Sequence, residues 1–250
     1  MTKKISYTIG NGSHKGMVRT INQDSFGSAK NSWGEFFIVA DGMGGHKGGE
    51  VASKMVVNHL CEAFKLEQNG DDPARFLQST IQSANQAVLE KAKEDPEYEG
   101  MGTTVVCVVI KGKDAYFAHV GDSRIYLFRY SKPIFITKDH SVVQDLLDKG
   151  LITPAEAKDH PKKNRILQAV GTGSITPTIN RKSLYKGDTL LLCSDGLTGE
   201  VSDKLILSTL KKNDPKTASK MLIDLANKNG GSDNITCIVL NVDKGLNPPK

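Results

Sequence analysis

The alternation of hydrophobic and polar residues changes period several times along the chain, and each change predicts a different element. Short runs rich in β-branched and aromatic residues, bounded by Gly, Asn and Ser, are typical of strands. They begin near the N-terminus and resume after a long helical region. The predicted strands cover residues 5–9, 24–28, 35–40, 103–110, 115–120, 125–129, 134–137, 175–184, 188–193 and 235–242.

Apolar residues recur at helical spacing in two segments between the third and fourth strands. The first segment runs from Ala52 to Phe64, and the second opens with Asp72 as its cap and Pro73 in its first turn. Two further helices are predicted over residues 202–210 and 215–228. We expect the first two helices to cover one side of a sheet.

The order of these elements predicts an α+β fold. The strands of the middle third have connections too short for parallel winding, which favours antiparallel neighbours. Two central antiparallel β-sheets flanked by helices, a four-layer α-β-β-α sandwich, accommodate all the elements in one domain over residues 1–242. Residues 141–167 are polar and irregular, which predicts a flap, and residues 243–250 form a short C-terminal tail.

Composition and charge exclude several classes of protein. The N-terminus lacks the apolar stretch of a signal peptide, and the densest apolar run, Val105 to Ile110, has the length of a strand. We therefore expect a cytoplasmic protein without a membrane contact. The net charge is +5, but the lysines are dispersed, so nucleic-acid binding is not expected. The four cysteines form no CxxC pair, which disfavours disulfides and zinc.

Four aspartates stand beside Gly or Ser where predicted strands end or begin: Asp41, Asp122, Asp195 and Asp233. Any one of them alone is better explained by ordinary turn chemistry. Together they indicate a shared site, in which like charges need cations for compensation. Carboxylate, carbonyl and water ligands suit Mg²⁺ or Mn²⁺, and the glycines after Asp41 and Asp195 leave the backbone carbonyl accessible.

Such a site suits phosphate ester hydrolysis. Two metals that share a carboxylate lower the pKa of a bridging water, which makes it a nucleophile at neutral pH. Arg19 lies five residues before Asp24, and a guanidinium can hold two phosphate oxygens at once. Taken alone, Arg19 is more simply a surface residue.

Six ordered motifs resemble those of the metal-dependent serine/threonine protein phosphatases of the protein phosphatase 2C type, closest to the bacterial branch. The resemblance extends from about Lys15 to Val242. The motifs are R-T-I-N-Q-D-S at 19–25, D-G-M-G-G-H at 41–46, G-T-T at 102–104, G-D-S-R at 121–124, S-D-G-L at 194–197 and G-S-D-N-I-T at 231–236.

The resemblance implies an enzyme that hydrolyses phosphoserine and phosphothreonine in proteins by attack of a metal-bridging hydroxide. It implies two tightly bound Mn²⁺ or Mg²⁺ ions with a third, weaker one, a monomeric chain, and an opposing bacterial Ser/Thr kinase. The same resemblance implies a role for each matched residue. Asp41 would bridge two metals, Gly42 would lend its carbonyl to one, Asp195 and Asp233 would hold the other, Asp122 would serve the third, Asp24 would act through metal-bound water, and Arg19 would bind the phosphate.

Two positions depart from the animal members of the family. Gln23 replaces a Glu, and Met43 replaces a His proposed as general acid. Both substitutions are what bacterial relatives show. The proton donor to the leaving group is therefore either His46 or a metal-bound water, and His46 is equally well explained as a loop residue.

Other chemistries are disfavoured by the sequence. No Arg stands six positions after a Cys, no DxD turn or G-x-S-x-G elbow occurs, and Lys47 interrupts the glycine-rich loop as a nucleotide cradle. Two alternatives stay open. One is a non-catalytic binding protein, of which a lost metal ligand would be the sign, and the other is a phosphatase for small phosphorylated metabolites.

Overall fold

The computed structural model describes residues 5–44, 48–94 and 96–248. The strands are β1 (Ser6–His14), β2 (Asp24–Lys30), β3 (Glu35–Met43), β4 (Gly102–Thr103), β5 (Val105–Lys111), β6 (Asp114–Val120), β7 (Arg124–Arg129), β8 (Lys132–Ile136), β9 (Thr178–Ser183), β10 (Thr189–Cys193) and β11 (Ile235–Lys244). The α-helices are α1 (Gly48–Leu66), α2 (Pro73–Glu94), α3 (Val142–Asp148), α4 (Pro154–Lys158), α5 (Asp195–Thr198), α6 (Asp203–Lys212) and α7 (Pro215–Lys228).

The strands form two antiparallel sheets. The first has the order β1-β11-β10-β7-β8, and the second has the order β2-β3-β5-β6-β9, with the short β4 paired to the end of β3. All the pairings between neighbours are antiparallel, as predicted for the two central sheets.

Three hydrophobic cores separate four layers. Successive side chains of β3 point into two different cores. Phe36 and Ile38 face α1 and α2, whereas Phe37 and Val39 face the opposite sheet. Strand β10 alternates in the same way, with Leu191 packed in the third core beneath α6 and α7. Strands buried on both faces explain why these runs are continuously apolar. The predicted four-layer α-β-β-α sandwich is confirmed.

The structure corrects one prediction about strand pairing. Strands β6 and β7 are separated by three residues and were expected to pair, but they lie in different sheets. Gly121, with a φ of +102°, and the neighbouring residues carry the chain from one sheet to the other. The hydroxyl groups of Thr104 and Ser123 hydrogen-bond at 2.7 Å across this crossing. The crossing places Asp122 between the two sheets.

Several predicted boundaries also shift. Strand β3 continues through Asp41 to Met43, because β4 pairs with its last residues. The predicted strand 103–110 is accordingly divided at Thr104. The predicted strand 175–184 is shortened to β9, and the one-turn helix α5, which starts at Asp195, was not predicted.

The predicted flap contains two short helices. Ser141 caps α3 by accepting a hydrogen bond from the Gln144 amide, and Thr153 with Glu156 forms a capping box at the start of α4. The Asp72 cap of α2 is also present, since its carboxylate accepts from the Arg75 amide at 3.1 Å. Among residues 5–44, 48–94 and 96–248, no helix has both the length and the apolar character needed to cross a membrane.

Candidate active site

Two of the predicted site residues lie directly opposite each other at one edge of the second sheet. Asp24 begins β2, and its register partner on β3 is Asp41. The backbone of Asp41 is fixed from the other side by the G-T-T segment. The Thr103 hydroxyl and the Thr104 amide both donate to the Asp41 carbonyl at 2.8 Å, and the Asp41 amide donates to the Thr104 hydroxyl at 3.0 Å.

The other two carboxylates come from the first sheet. Asp195 starts α5 just after β10, and Asp233 stands just before β11. Because β10 and β11 are paired, with Cys193 opposite Cys237, the two aspartates emerge at the same edge. The Ser194 amide donates to the Thr236 carbonyl at 3.0 Å, which extends the pairing by one step beyond the strands.

Ser194 joins the two sheets at this edge. Its hydroxyl donates to Asp24 Oδ2 at 2.8 Å, and it accepts from the Thr236 amide at 2.9 Å. The charge of Asp195, from the first sheet, also acts on Asp41, from the second, so the cluster spans both sheets.

The surroundings disfavour ionised carboxyl groups. Burial raises the pKa of Asp24 to about 7, and the Asp195 and Asp233 carboxylates add to the rise. Burial also places the pKa of Asp41 well above its usual range, with further repulsion from Asp24 and Asp195. The pKa of Asp195 is raised by burial as well, and repulsion from Asp233 adds to it.

Asp122 belongs to the same electrostatic cluster. Burial and the Asp195 carboxylate raise its pKa to about 7, and its own charge acts on Asp41. The chain crossing between β6 and β7 therefore delivers a fifth carboxylate to the edge where Asp24, Asp41 and Asp195 meet.

Two carboxylate oxygens in the cluster have no hydrogen-bond partner among the described residues. They are Asp24 Oδ1 and Asp195 Oδ1, and both are buried. A buried carboxylate oxygen without a partner is costly, and a divalent cation or a water bound to one would satisfy it. The oxygen-only donor set and the excess negative charge both fit Mn²⁺ or Mg²⁺.

Within the part of the chain that the structure describes, no three His, Cys, Asp or Glu side chains are already arranged to hold one metal ion.

Gly42 lies where a side chain would not fit. A Cβ at this position would overlap the Gly49 carbonyl and approach the Gln23 carbonyl. The start of α1 therefore packs directly on the backbone that follows Asp41. This packing explains the glycine whether or not its own carbonyl binds a metal.

Arg19 and Asp233 are in contact at the solvent side of the cluster. Arg19 Nη2 lies 2.8 Å from Asp233 Oδ2, and their side chains are 53% and 36% exposed. Asp24, by contrast, is buried. The site therefore has a floor of buried carboxylates and a rim that carries the guanidinium.

Asn234 holds the loop that carries Arg19, and its sequence position alone predicts no such role. Its side-chain carbonyl accepts from the Gln23 amide at 2.8 Å, and its side-chain amide donates to the Lys15 and Ile21 carbonyls, both at 2.9 Å. One side chain thus fixes both ends of the loop 15–23. Its place directly after Asp233 in the S-D-N motif was the only available signal.

Arg124 of the G-D-S-R motif also has a role that the sequence did not reveal. Its guanidinium binds Asp139 through two hydrogen bonds of 2.8 and 2.7 Å. The next residue, His140, donates its backbone amide to the Gly121 carbonyl at 2.8 Å and accepts from the Leu167 amide at 2.7 Å. Arg124 therefore anchors the base of the predicted flap beside Asp122. The proton donor candidate His46 lies outside the described residues.

The chain matches a family model described as Protein phosphatase 2C over residues 12–230. It is 39% identical over 231 residues to the serine/threonine protein phosphatase PstP of Mycobacterium tuberculosis, which covers 92% of this chain and 44% of that protein. This chain therefore spans less than half the length of PstP. It is 38% identical to the serine/threonine phosphatase stp of Listeria innocua, with 93% of this chain and 94% of that protein covered.

Solved structures show the same relationship. The catalytic domain of PstP in complex with two manganese ions superposes with a TM-score of 0.85 at 36% identity, covering 96% of this chain and 100% of that one. The serine/threonine phosphatase Stp1 of Staphylococcus aureus gives a TM-score of 0.90 at 35% identity, with 98% of each chain covered.

Proposed function

Because the chain belongs to the protein phosphatase 2C family, we propose that it is a Mn²⁺- or Mg²⁺-dependent phosphatase that hydrolyses phosphoserine and phosphothreonine in proteins. The observation that carries the proposal is the convergence of buried aspartates from two sheets beneath an exposed arginine. Two of their oxygens are buried and have no hydrogen-bond partner among the described residues. Such a site binds cations at its floor and a phosphate at its rim.

The metal residues are proposed to be Asp41, Asp195 and Asp233, with the Gly42 carbonyl and with Asp122 for a third, weaker ion. When bound, the cations offset the carboxylate charge, draw electron density from the phosphate oxygens and acidify water. The chain contributes the geometry. Hydrogen bonds with Thr103 and Thr104 fix the Asp41 backbone, which positions the Asp41 carboxylate for a cation.

Arg19 is proposed to bind the substrate phosphate. Its guanidinium is held at the rim by Asp233, where it remains accessible to a phosphorylated side chain. A planar guanidinium can donate two parallel hydrogen bonds to a phosphate, which orients the phosphorus over the carboxylates below.

Asp24 is proposed to orient a water molecule. Ser194 fixes one of its oxygens at 2.8 Å, which leaves the buried Oδ1 to accept from a water in the site. A phosphate held by Arg19 and a water oriented by Asp24 would react in one step, in which the water oxygen bonds to phosphorus as the ester bond to the Ser or Thr oxygen breaks, without a phosphoenzyme. The proton donor to the leaving group stays open between His46 and a metal-bound water.

The other sequence-based expectations stay predictions of this proposal. They are a single catalytic domain over residues 1–242 with a flap at 141–167 and a tail at 243–250, a monomeric chain, an opposing Ser/Thr kinase, and a cytoplasmic location. The four cysteines are free and buried, which is consistent with a reducing compartment.

The proposal is tested by phosphate release from a phosphothreonine peptide and from p-nitrophenyl phosphate in Mn²⁺, in Mg²⁺ and in EDTA. The unaltered protein is compared with Asp195→Asn and with Asp224→Asn, which changes an exposed aspartate on α7. We expect metal-dependent activity that Asp195→Asn abolishes and Asp224→Asn retains. Full activity in EDTA or a trapped phosphoenzyme would overturn the mechanism, and inactivity of the folded, metal-loaded protein would favour a binding protein instead.

A further inference from the structure

Two large apolar side chains stand next to Arg19 and face solvent. Met17 is 65% exposed and Val18 is 68% exposed. Single exposed hydrophobic residues are ordinary on protein surfaces. Here two such residues are consecutive in the chain and directly precede the proposed phosphate ligand. We call this pair the apolar lip.

The apolar lip belongs to a loop that is held in place. The Met17 amide donates to the Gly231 carbonyl at 2.7 Å, and the Asn234 side chain binds the Lys15 and Ile21 carbonyls on either side. Gly16 adopts a φ of +78°, and a Cβ there would overlap the Gly231 and Asp233 carbonyls. The exposure of the lip is therefore built into the fold, and a partner that covers it would not have to order a mobile segment.

The position of the lip relative to Arg19 sets what can reach it. When the phosphate of a protein substrate binds the Arg19 guanidinium, the peptide on either side of the phosphorylated residue must run across the rim of the site. An extended chain advances about 3.3–3.6 Å per residue, so the residues next to the phosphorylated one lie within roughly 7 Å of it. Val18 and Met17 stand one and two residues from Arg19, which is the same spacing along the chain.

We propose, on the basis of the proposed function, that the apolar lip binds the side chains that flank the phosphorylated residue and selects protein substrates with apolar flanks. Arg19 is engaged by Asp233 and the phosphate. The two residues that directly precede it, the methionine and the valine, offer exposed apolar surface to the flanking residues. An apolar neighbour would remove both from water, whereas a charged neighbour would lose hydration there.

The test compares three substrates with one variant and one control. The substrates are a phosphothreonine peptide with leucine and valine flanks, the same peptide with serine and glycine flanks, and p-nitrophenyl phosphate, which has no flanks. The variant carries Met17→Ser and Val18→Ser together. The control carries Leu66→Ser, which removes a leucine that is 77% exposed at the end of α1.

We expect the unaltered protein to prefer the apolar-flanked peptide and the double variant to lose about tenfold in kcat/KM for it, mainly through KM. The double variant should keep its kcat/KM for p-nitrophenyl phosphate, so the ratio of the peptide value to the p-nitrophenyl phosphate value should also fall about tenfold. Leu66→Ser should leave this ratio unchanged. The proposed role of the apolar lip would be overturned if the double variant kept the preference for the apolar-flanked peptide. It would also be overturned if the unaltered protein had no such preference. A preference for an acidic-flanked peptide would do the same, since it would assign selection to Lys15.

Failure of the proposed function would look different. An unaltered, metal-loaded protein that is inactive toward all three substrates would overturn the phosphatase proposal and the lip with it. If the protein hydrolyses p-nitrophenyl phosphate and hydrolyses both peptides at equal rates, the phosphatase proposal stands and only the role of the apolar lip is overturned.

Discussion

Arg19 and Asp233 lie 214 positions apart in the sequence and form an ion pair of 2.8 Å. The proposed phosphate ligand and a proposed metal ligand are thus in direct contact. Because both side chains are partly exposed, the pair itself adds little to stability. Its consequence is geometric: the guanidinium is held at the rim of the carboxylate cluster, where a phosphate and a cation would lie side by side.

Replacing Arg19 tests this arrangement. We expect Arg19→Ala to lower kcat/KM for a phosphothreonine peptide by about 10- to 100-fold, because a charged hydrogen-bonding partner of the phosphate is lost. Arg19→Lys should recover little of this loss, since an ammonium cannot donate two parallel bonds. Steady-state kinetics and competitive inhibition by inorganic phosphate measure the effect.

A matched control for Arg19 is available at Arg181. This exposed arginine also forms an ion pair, with the largely buried Asp114 at 2.7 Å, outside the site. Arg181→Ala should retain full activity. Equal losses from the two arginine variants would contradict a specific role for Arg19.

Neutralising a buried aspartate should have opposite effects on stability and activity. Asp195→Asn removes negative charge beside Asp41 and Asp233, so we expect the metal-free protein to melt about 2 to 6 °C higher while activity is lost. Thermal unfolding in EDTA measures the shift, with Asp224→Asn as control. A lower melting temperature for Asp195→Asn would indicate that this carboxylate stabilises the metal-free fold.

Asn234 should matter for stability and for phosphate binding together. Asn234→Ala removes three hydrogen bonds to loop 15–23, which we expect to cost roughly 2 to 4 kcal/mol of unfolding free energy. The freed loop should also raise KM. Denaturant unfolding and kinetics measure both effects. Asn241→Ala, at the far end of β11, is the control, and an unchanged KM for Asn234→Ala would show that the loop does not position Arg19.

Because of the surroundings of His140, we expect the protein to lose stability in mild acid. Burial lowers its pKa to about 4, and the ring of His119, stacked on it at 4.4 Å, contributes. Its Nδ1 accepts from the Gly121 amide at 3.3 Å, which a proton would prevent. The folded state therefore binds this proton less readily than the unfolded state, whose histidine titrates near 6.5.

Neutral His140 therefore makes its full contribution to the free energy of unfolding above pH 6.5, and this contribution is lost as the pH falls toward 4. We expect a loss on the order of 1 kcal/mol, after allowance for the partial exposure of the ring. Melting temperatures of the unaltered protein and of His140→Gln at pH 7 and pH 5 measure it. A variant with the same pH dependence as the unaltered protein would assign the effect to other groups.

The layered fold could be predicted from the sequence because its strands are buried on both faces and its helices on one. Continuous apolar runs such as those of β3 and β10 identify inner strands, and helical spacing identifies the outer layers. The pairing of β6 with β7 could not be predicted correctly. A three-residue connection is compatible with a hairpin and with a crossing between sheets, and only the packing of both sheets decides between them.

The candidate site was predicted only in part, for a similar reason. Aspartates beside glycine or serine mark chain turns, so Asp41, Asp122, Asp195 and Asp233 could be named from the sequence. The groups that hold them could not be, because Ser194 and Asn234 act through contacts that form only when the two sheets pack. An exposed pair such as Met17 and Val18 is likewise indistinguishable from ordinary surface until Arg19 is located.

The central claim is that the aspartate cluster binds cations and thereby makes the protein a phosphatase. It is tested most directly by titrating the metal-free protein with Mn²⁺ and measuring bound metal and phosphate release from a phosphothreonine peptide in the same samples. We predict that activity is absent without metal and rises with metal occupancy up to two tightly bound ions per chain. Two tightly bound ions are the number that the resemblance to the protein phosphatase 2C family implies. Turnover by metal-free protein, or metal binding without turnover, would contradict the claim.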